Sequence, residues 1–152
     1  MDFAYNDEQK EIIKVVRDLV EKEIVPYAAE MDETGKLHEG LLEKLAAQGL
    51  LGVAIPEEFG GAGLDAITIA AIYEELGKGC AGVATTVAAN ALASYPVIIA
   101  GNDDQKKRYF DIINDDNLAA FALTEPGTGS DAGSVSTRAM KTEDGKGYIL
   151  NG

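Results

Sequence analysis

The chain has 152 residues, 46% of them hydrophobic and 26% charged, which is enough apolar material for a core and too much for a disordered segment. Its net charge of −13 excludes bulk electrostatic attraction to nucleic acid or to an anionic membrane surface. One cysteine, Cys80, and one histidine, His38, exclude a disulfide framework and a His/Cys metal site closed within one chain.

Asn6, with Gln9 three residues on, predicts a capping box that opens a first helix. Ile12, Val16, Leu19, Val20 and Ile24 give that helix an apolar stripe, and Pro26 should kink it or end it early. A second helix is predicted from about Glu39 to Gln48, with Leu41, Leu42 and Leu45 inward and Gly49 as a left-handed cap. His38, just before it, reads as a capping or surface residue. The run LLGVAIPEEFGGAGLD reads as an ordered loop. Asp65 then caps a third helix carrying Ile69, Ile72, Tyr73 and Leu76.

From Gly79 to Gly101 no residue is charged, a stretch long enough to cross a bilayer. Its alanines, with Thr85, Thr86, Asn90, Ser94 and Pro96, predict instead a helix buried on most sides in a helical bundle. Cys80, at its start, reads as a small buried residue. Asn102 with Gln105 opens a last helix, with Tyr109, Phe110, Ile112 and Ile113 on its apolar side. The N-terminus has no basic region followed by an apolar one, so no secretory signal is expected. The expectation is a cytoplasmic or mitochondrial-matrix protein with no membrane span and no nucleic-acid partner.

After Asn117 helical periodicity stops. Leu118–Thr124 is an apolar run of strand length, Ser134–Met140 alternates, 143–147 is a turn, and Tyr148–Leu150 starts another strand. The fold class is mainly α: an N-terminal helical bundle over residues 1–118, then the beginning of a β-domain over 119–152. Two or three strands do not make a stable sheet alone, so the chain reads as the front portion of a longer protein.

The stretch that carries chemistry is Phe121-Ala-Leu-Thr-Glu-Pro-Gly-Thr-Gly-Ser-Asp131. Pro126-Gly127 suits the centre of a type II turn, Gly129 admits close backbone approach, and Thr124, Thr128 and Ser130 supply hydroxyls. Such a loop can make a nest for a phosphate or a polar heterocycle edge. Turn statistics by themselves favour a plain tight turn between strands.

The segment TEPGTGSDAGS resembles the acyl-CoA dehydrogenase family of flavoproteins. PEEFGGAGLD, the CAGVAT helix start, AGNDDQKKRYF and GYILNG resemble family segments in the family's order. The resemblance implies an N-terminal helical domain, a middle β-domain and a C-terminal helical domain, with FAD between the last two. It implies α,β-dehydrogenation of an acyl-CoA to a trans-2-enoyl-CoA, with electron-transfer flavoprotein as partner and a homotetramer as the assembly. Phe121, Leu123 and Thr124 match positions at the flavin ring edge, and Phe121 stands where some members have Tyr. Gly129 and Ser130 match positions near the FAD phosphates, and Ser130 also the position that touches acyl-CoA. Thr85, Ala88, Leu92 and Tyr95, with Ala84, are candidates for the acyl pocket; ordinary core packing would place them as well. Small residues with Tyr95 as floor point to short or medium straight chains.

No residue here matches the family's catalytic base, including Glu57, Glu58, Glu74, Glu75 and Glu125, and no metal ligand is expected. The chain alone is expected to be inactive and to hold FAD weakly. Two alternatives stay open: an acyl-CoA oxidase-type or nitroalkane oxidase-type relative on this scaffold, or a non-catalytic helical interaction module.

Overall fold

The computed structural model describes residues 4–114 and 117–152. The chain divides into two compact units, 1–120 and 121–152. Among the described residues the first unit holds six α-helices: α1 (Asp7–Leu19), α2 (Ala28–Thr34), α3 (Leu41–Ala47), α4 (Ala66–Gly79), α5 (Ala81–Ala100) and α6 (Asp103–Ile113). The second holds one hairpin, β1 (Arg138–Lys141) and β2 (Tyr148–Asn151).

Local chemistry sets the helix starts. Asn6 Oδ1 accepts the Gln9 N–H at 2.8 Å and Gln9 Oε1 accepts the Asn6 N–H at 3.0 Å. Asn102 and Gln105 repeat this reciprocal pair at 2.9 Å each way. Asp65 Oδ1 accepts from Ile67 N at 2.8 Å and Thr68 N at 3.1 Å. Each cap satisfies donors that the first helical turn leaves bare.

Pro26 kinks the first helix rather than ending it. The chain widens into a π turn at Val20–Ile24, tightens over Val25–Tyr27, and runs on as α2, a helix that the sequence reading omits. Gly35, at φ +65°, closes α2 in the left-handed region. His38 is no cap: its ring stacks on Tyr27 with centroids 3.5 Å apart, and glycine, Gly40, occupies the N-cap of α3. Leu41 and Leu45 are buried as predicted, while Leu42 is half-buried.

The main core joins Val16, Val20 and Ile24 to Leu41, Leu45, Ile72, Leu76, Val83 and Val87. Cys80 packs half-buried against its edge. A smaller cluster, Ile55, Phe110 and Ile113, binds the glycine-rich loop to α6, with Phe59 stacked on Phe110. Ile112, predicted inward, is 61% exposed, because Phe110 and Ile113 set the buried stripe and Ile112 points off it.

The uncharged helix α5 corrects a further expectation. It is not buried on most sides: Val83, Val87, Asn90, Ala91 and Ser94 form one buried stripe. Leu92 is 50%, Tyr95 42% and Ile99 80% exposed. By length and composition α5 is apolar enough to cross a membrane. Its single buried stripe is the pattern of an amphipathically packed core helix.

In the second unit β1 and β2 pair antiparallel, with Arg138 opposite Asn151 and Lys141 opposite Tyr148. Gly145, at φ +68°, makes the predicted turn, and Asp144 Oδ1 accepts from the Thr142 hydroxyl and the Lys146 N–H. Both strands are exposed along their whole length. The predicted strand at Leu118–Thr124 does not form in the structure: it has no ladder partner among the described residues, and a strand exists only by pairing.

Candidate functional site

The segment 121–131 folds around a four-residue turn. Glu125 N–H donates to Thr128 O and Thr128 N–H to Glu125 O, both at 3.0 Å, with Pro126-Gly127 between them. Gly127 does not have a positive φ, which a type II turn requires at its third position, so the predicted type II turn is corrected. Thr128 is buried, its hydroxyl donating to Ser134 O at 3.1 Å.

Glu125 clasps this loop. Its Oε2 accepts the Ser136 N–H at 2.9 Å and hydroxyl at 2.7 Å; its Oε1 accepts the Thr137 N–H at 2.8 Å and the Thr137 hydroxyl. The hydroxyls of Thr137 and Ser136, and then their amides, hold the carboxyl pKa down at about 2. A carboxylate held that low is a weak proton acceptor, and it is committed to loop structure. The lowered pKa means the clasp is complete above the ordinary value of 4.5 and is lost as pH falls through about 2. Glu125→Ala should raise hydrogen exchange at the Ser136 and Thr137 amides about tenfold at neutral pH. Exchange unchanged from the native protein would refute the clasp.

Around that clasp the predicted cofactor positions face outward. Phe121 and Leu123 are 41% and 44% exposed, and Thr124, Gly129 and Ser130 are exposed. Within the described chain, neither the Gly129 and Ser130 N–H groups nor the Thr124 and Ser130 hydroxyls are hydrogen-bonded. A Cβ on Gly129 would meet no atom within 4 Å, so the chain's own packing does not require glycine there. This donor set, beside an open glycine, fits a phosphate or the polar edge of a flavin.

The predicted acyl-pocket residues lie in the other unit. Thr85, Ala88, Leu92 and Tyr95 share one stripe on α5, opposite its buried face; Thr85, Leu92 and Tyr95 are exposed, and Ala88, like Ala84, is half-buried. The Thr85 hydroxyl is turned back on its own helix, donating to Ala81 O at 2.8 Å. On α4 the Tyr73 hydroxyl is buried without a hydrogen-bond partner among the described residues. Burial, and then the neighbouring Tyr95 phenol, push its pKa up to about 12. The α5 candidates share one helix of the first unit, while Ser130, the remaining substrate candidate, lies with the cofactor positions in the second.

One polar residue escaped the sequence reading. Asn90, in the sequence one of the polar interruptions of an apolar helix, is fully buried and hydrogen-bonded to three backbone groups. The signal was there: an amide inside an uncharged helix needs partners, because burying it bare is costly. Among the described residues no cluster of His, Cys, Asp or Glu could hold a metal ion.

Comparison with known proteins gives the family and the fold. Residues 6–114 match the family described as "Acyl-CoA dehydrogenase, N-terminal domain". The chain is 43% identical to a 3-(aryl)acrylate reductase of Clostridium sporogenes, over 95% of this chain and 39% of that protein. Its fold superposes on butyryl-CoA dehydrogenase from Megasphaera elsdenii with a TM-score of 0.85 at 36% identity, covering 100% of this chain and 41% of that one. It superposes on an acyl-CoA dehydrogenase complexed with FAD from Bacillus anthracis with a TM-score of 0.84 at 37% identity, covering 97% of this chain and 26% of that one. The chain thus spans about two fifths or less of the length of these relatives. The capped helical unit, the glycine-rich loop locked to α6 and a family match over most of the chain lead to one assignment: the chain belongs to the acyl-CoA dehydrogenase family.

Proposed function

We propose that this chain supplies the helical part and the first flavin-facing loop of an FAD-dependent acyl-CoA dehydrogenase. The single observation that carries the reading is the outward donor set at Thr124, Gly129 and Ser130, beside a glycine that the chain's own packing does not require. Bound FAD would supply the acceptor for the hydride that leaves the β-carbon of the acyl thioester. The chain's own residues bind and orient. Phe121, Leu123 and Thr124 would meet the ring edge, and Gly129 and Ser130 the phosphates, Ser130 also touching the acyl-CoA. Thr85, Ala88, Leu92 and Tyr95 would line an acyl pocket for short or medium chains.

No catalytic base is assigned here: Glu75 and Glu125 are both held at pKa values near 2 by structural partners. Residues 1–118 would be the helical domain and 119–152 the opening of the middle β-domain. Electron-transfer flavoprotein would be the redox partner and a homotetramer the assembly, in the cytoplasm or the mitochondrial matrix.

The identity to an arylacrylate reductase supports a second reading, in which the same site runs toward saturation of an aryl enoyl substrate. One experiment separates the two. The full-length gene product, made with riboflavin plentiful, should stay yellow through gel filtration and be bleached anaerobically by butyryl-CoA or octanoyl-CoA. Bleaching by neither, with reoxidation of the reduced protein by an arylacrylyl substrate, selects the reductase reading. Rapid peroxide formation in air selects an oxidase, and a colourless protein refutes both flavoenzyme readings. Gly129→Ala should leave the urea midpoint unchanged and weaken FAD binding about tenfold.

A further inference from the structure

Asn90 stands inside α5, 0% exposed, on a helix face it shares with Val83, Val87, Ala91 and Ser94. Its Nδ2 donates to Leu51 O at 3.3 Å and to Asn117 O at 3.4 Å, and its Oδ1 accepts the Ala119 N–H at 2.6 Å. The three bonds tie the short turn after α3 and the chain leaving α6 to one side chain. A leucine at this position would fill the space but leave the Leu51 and Asn117 carbonyls and the Ala119 N–H without these partners. The amide is useful where packing is not directional: it fixes where a backbone runs.

That backbone is the approach to the proposed flavin segment. Ala119 precedes Phe121 by two residues, so their Cα atoms lie within about 7 Å however the chain bends. Leu118–Thr124 has no strand ladder among the described residues, so its start depends on contacts such as these. We propose that Asn90 is a positioning residue for FAD, setting from within α5 the point at which the chain enters Phe121, Leu123 and Thr124. This inference rests on the flavoprotein reading above.

Two variants of the full-length protein test it. Asn90→Ala removes all three bonds. Ala119→Pro removes the N–H that Asn90 accepts without touching α5, and also fixes φ at 119, beside the Ile55, Phe110 and Ile113 cluster. Ser94→Ala is the control: Ser94 is as buried, on the same helix, but its hydroxyl donates to Asn90 O and approaches Tyr109 rather than residues 117–119.

FAD titration, followed by quenching of flavin fluorescence, should give a dissociation constant raised about tenfold in Asn90→Ala and in Ala119→Pro. Ser94→Ala should lower thermal stability with FAD affinity within about twofold of the native protein. If Asn90→Ala does not fold, Ala119→Pro decides the matter. A native protein that binds FAD alongside an Ala119→Pro protein of native affinity overturns the role of Asn90 and leaves the flavoprotein reading standing. Equal loss of affinity in Ser94→Ala overturns it too, because general loosening of α5 would then suffice. A native full-length protein that binds no FAD overturns both.

Discussion

Gly61→Ala should destabilise the helical unit by about 3 kcal/mol, read as a lower urea midpoint with an unchanged slope. A Cβ at Gly61 would lie 2.1 Å from Ile55 O and 2.3 Å from Ile55 Cβ. Neither atom can retreat. Ile55 O already accepts the Gly63 N–H at 2.9 Å, and the Ile55 side chain is 1% exposed, packed with Phe110 and Ile113. The surrounding loop is equally committed: Ala62 N–H donates to Gly52 O at 3.1 Å and Leu64 N–H to Val53 O at 3.0 Å. Relief would have to come from opening the loop and losing the cluster with it. Gly127→Ala is the comparison, since a Cβ there meets nothing within 4 Å. Equal stability of Gly61→Ala and Gly127→Ala would refute the packing argument.

Glu75→Gln should cost about 1–2 kcal/mol near neutral pH and flatten the acid limb of the stability curve. Glu75 is 5% exposed and bridges α1 to its own helix: Arg17 Nε and Nη2 approach at 3.1 and 2.9 Å, and Lys78 Nζ at 2.7 Å. The Arg17 hydrogen bonds, joined by Lys78 and opposed by burial, hold the carboxyl at about 2. Arg17 and Lys78 are half in solvent, which screens the pair and keeps the figure modest. A group whose pKa is lower in the folded state than its ordinary 4.5 contributes fully above 4.5 and loses that contribution as pH falls through about 2. Urea midpoints measured from neutral pH down to about pH 3 should therefore fall more steeply in the native protein than in Glu75→Gln. Parallel curves would show that Glu75 carries no such linkage.

The starts of α1, α4 and α6 were legible residue by residue, because a side-chain cap is settled within four positions of chain. Asn6 with Gln9, Asp65 and Asn102 with Gln105 each name their own partners. The stripe Val16, Val20, Ile24 was legible for a similar reason, since helical period alone puts those side chains together. The motif from Thr124 to Ser134 was legible as a family resemblance, and the match over residues 6–114 places the chain in that family. What each residue of the loop touches was not legible. Nothing in the order of letters says that Glu125 reaches Ser136 and Thr137, or that Gly127 avoids a positive φ.

By itself, then, the sequence determined the caps of α1, α4 and α6, most of the buried stripes of α1 and α4, the mainly helical class and the family. Only the tertiary structure decided that α5 buries one stripe and presents Leu92 and Tyr95 outward. It also decided that Leu118–Thr124 has no strand partner among the described residues, that the chain winds through Pro26 into α2, and that Asn90 holds the exit from α6. Caps and periodicity are interactions between near neighbours in the chain and are written in local order. Exposure, strand pairing and a buried amide's partners are set by groups far away in sequence, from Leu51 to Ala119, which meet only once the core has closed.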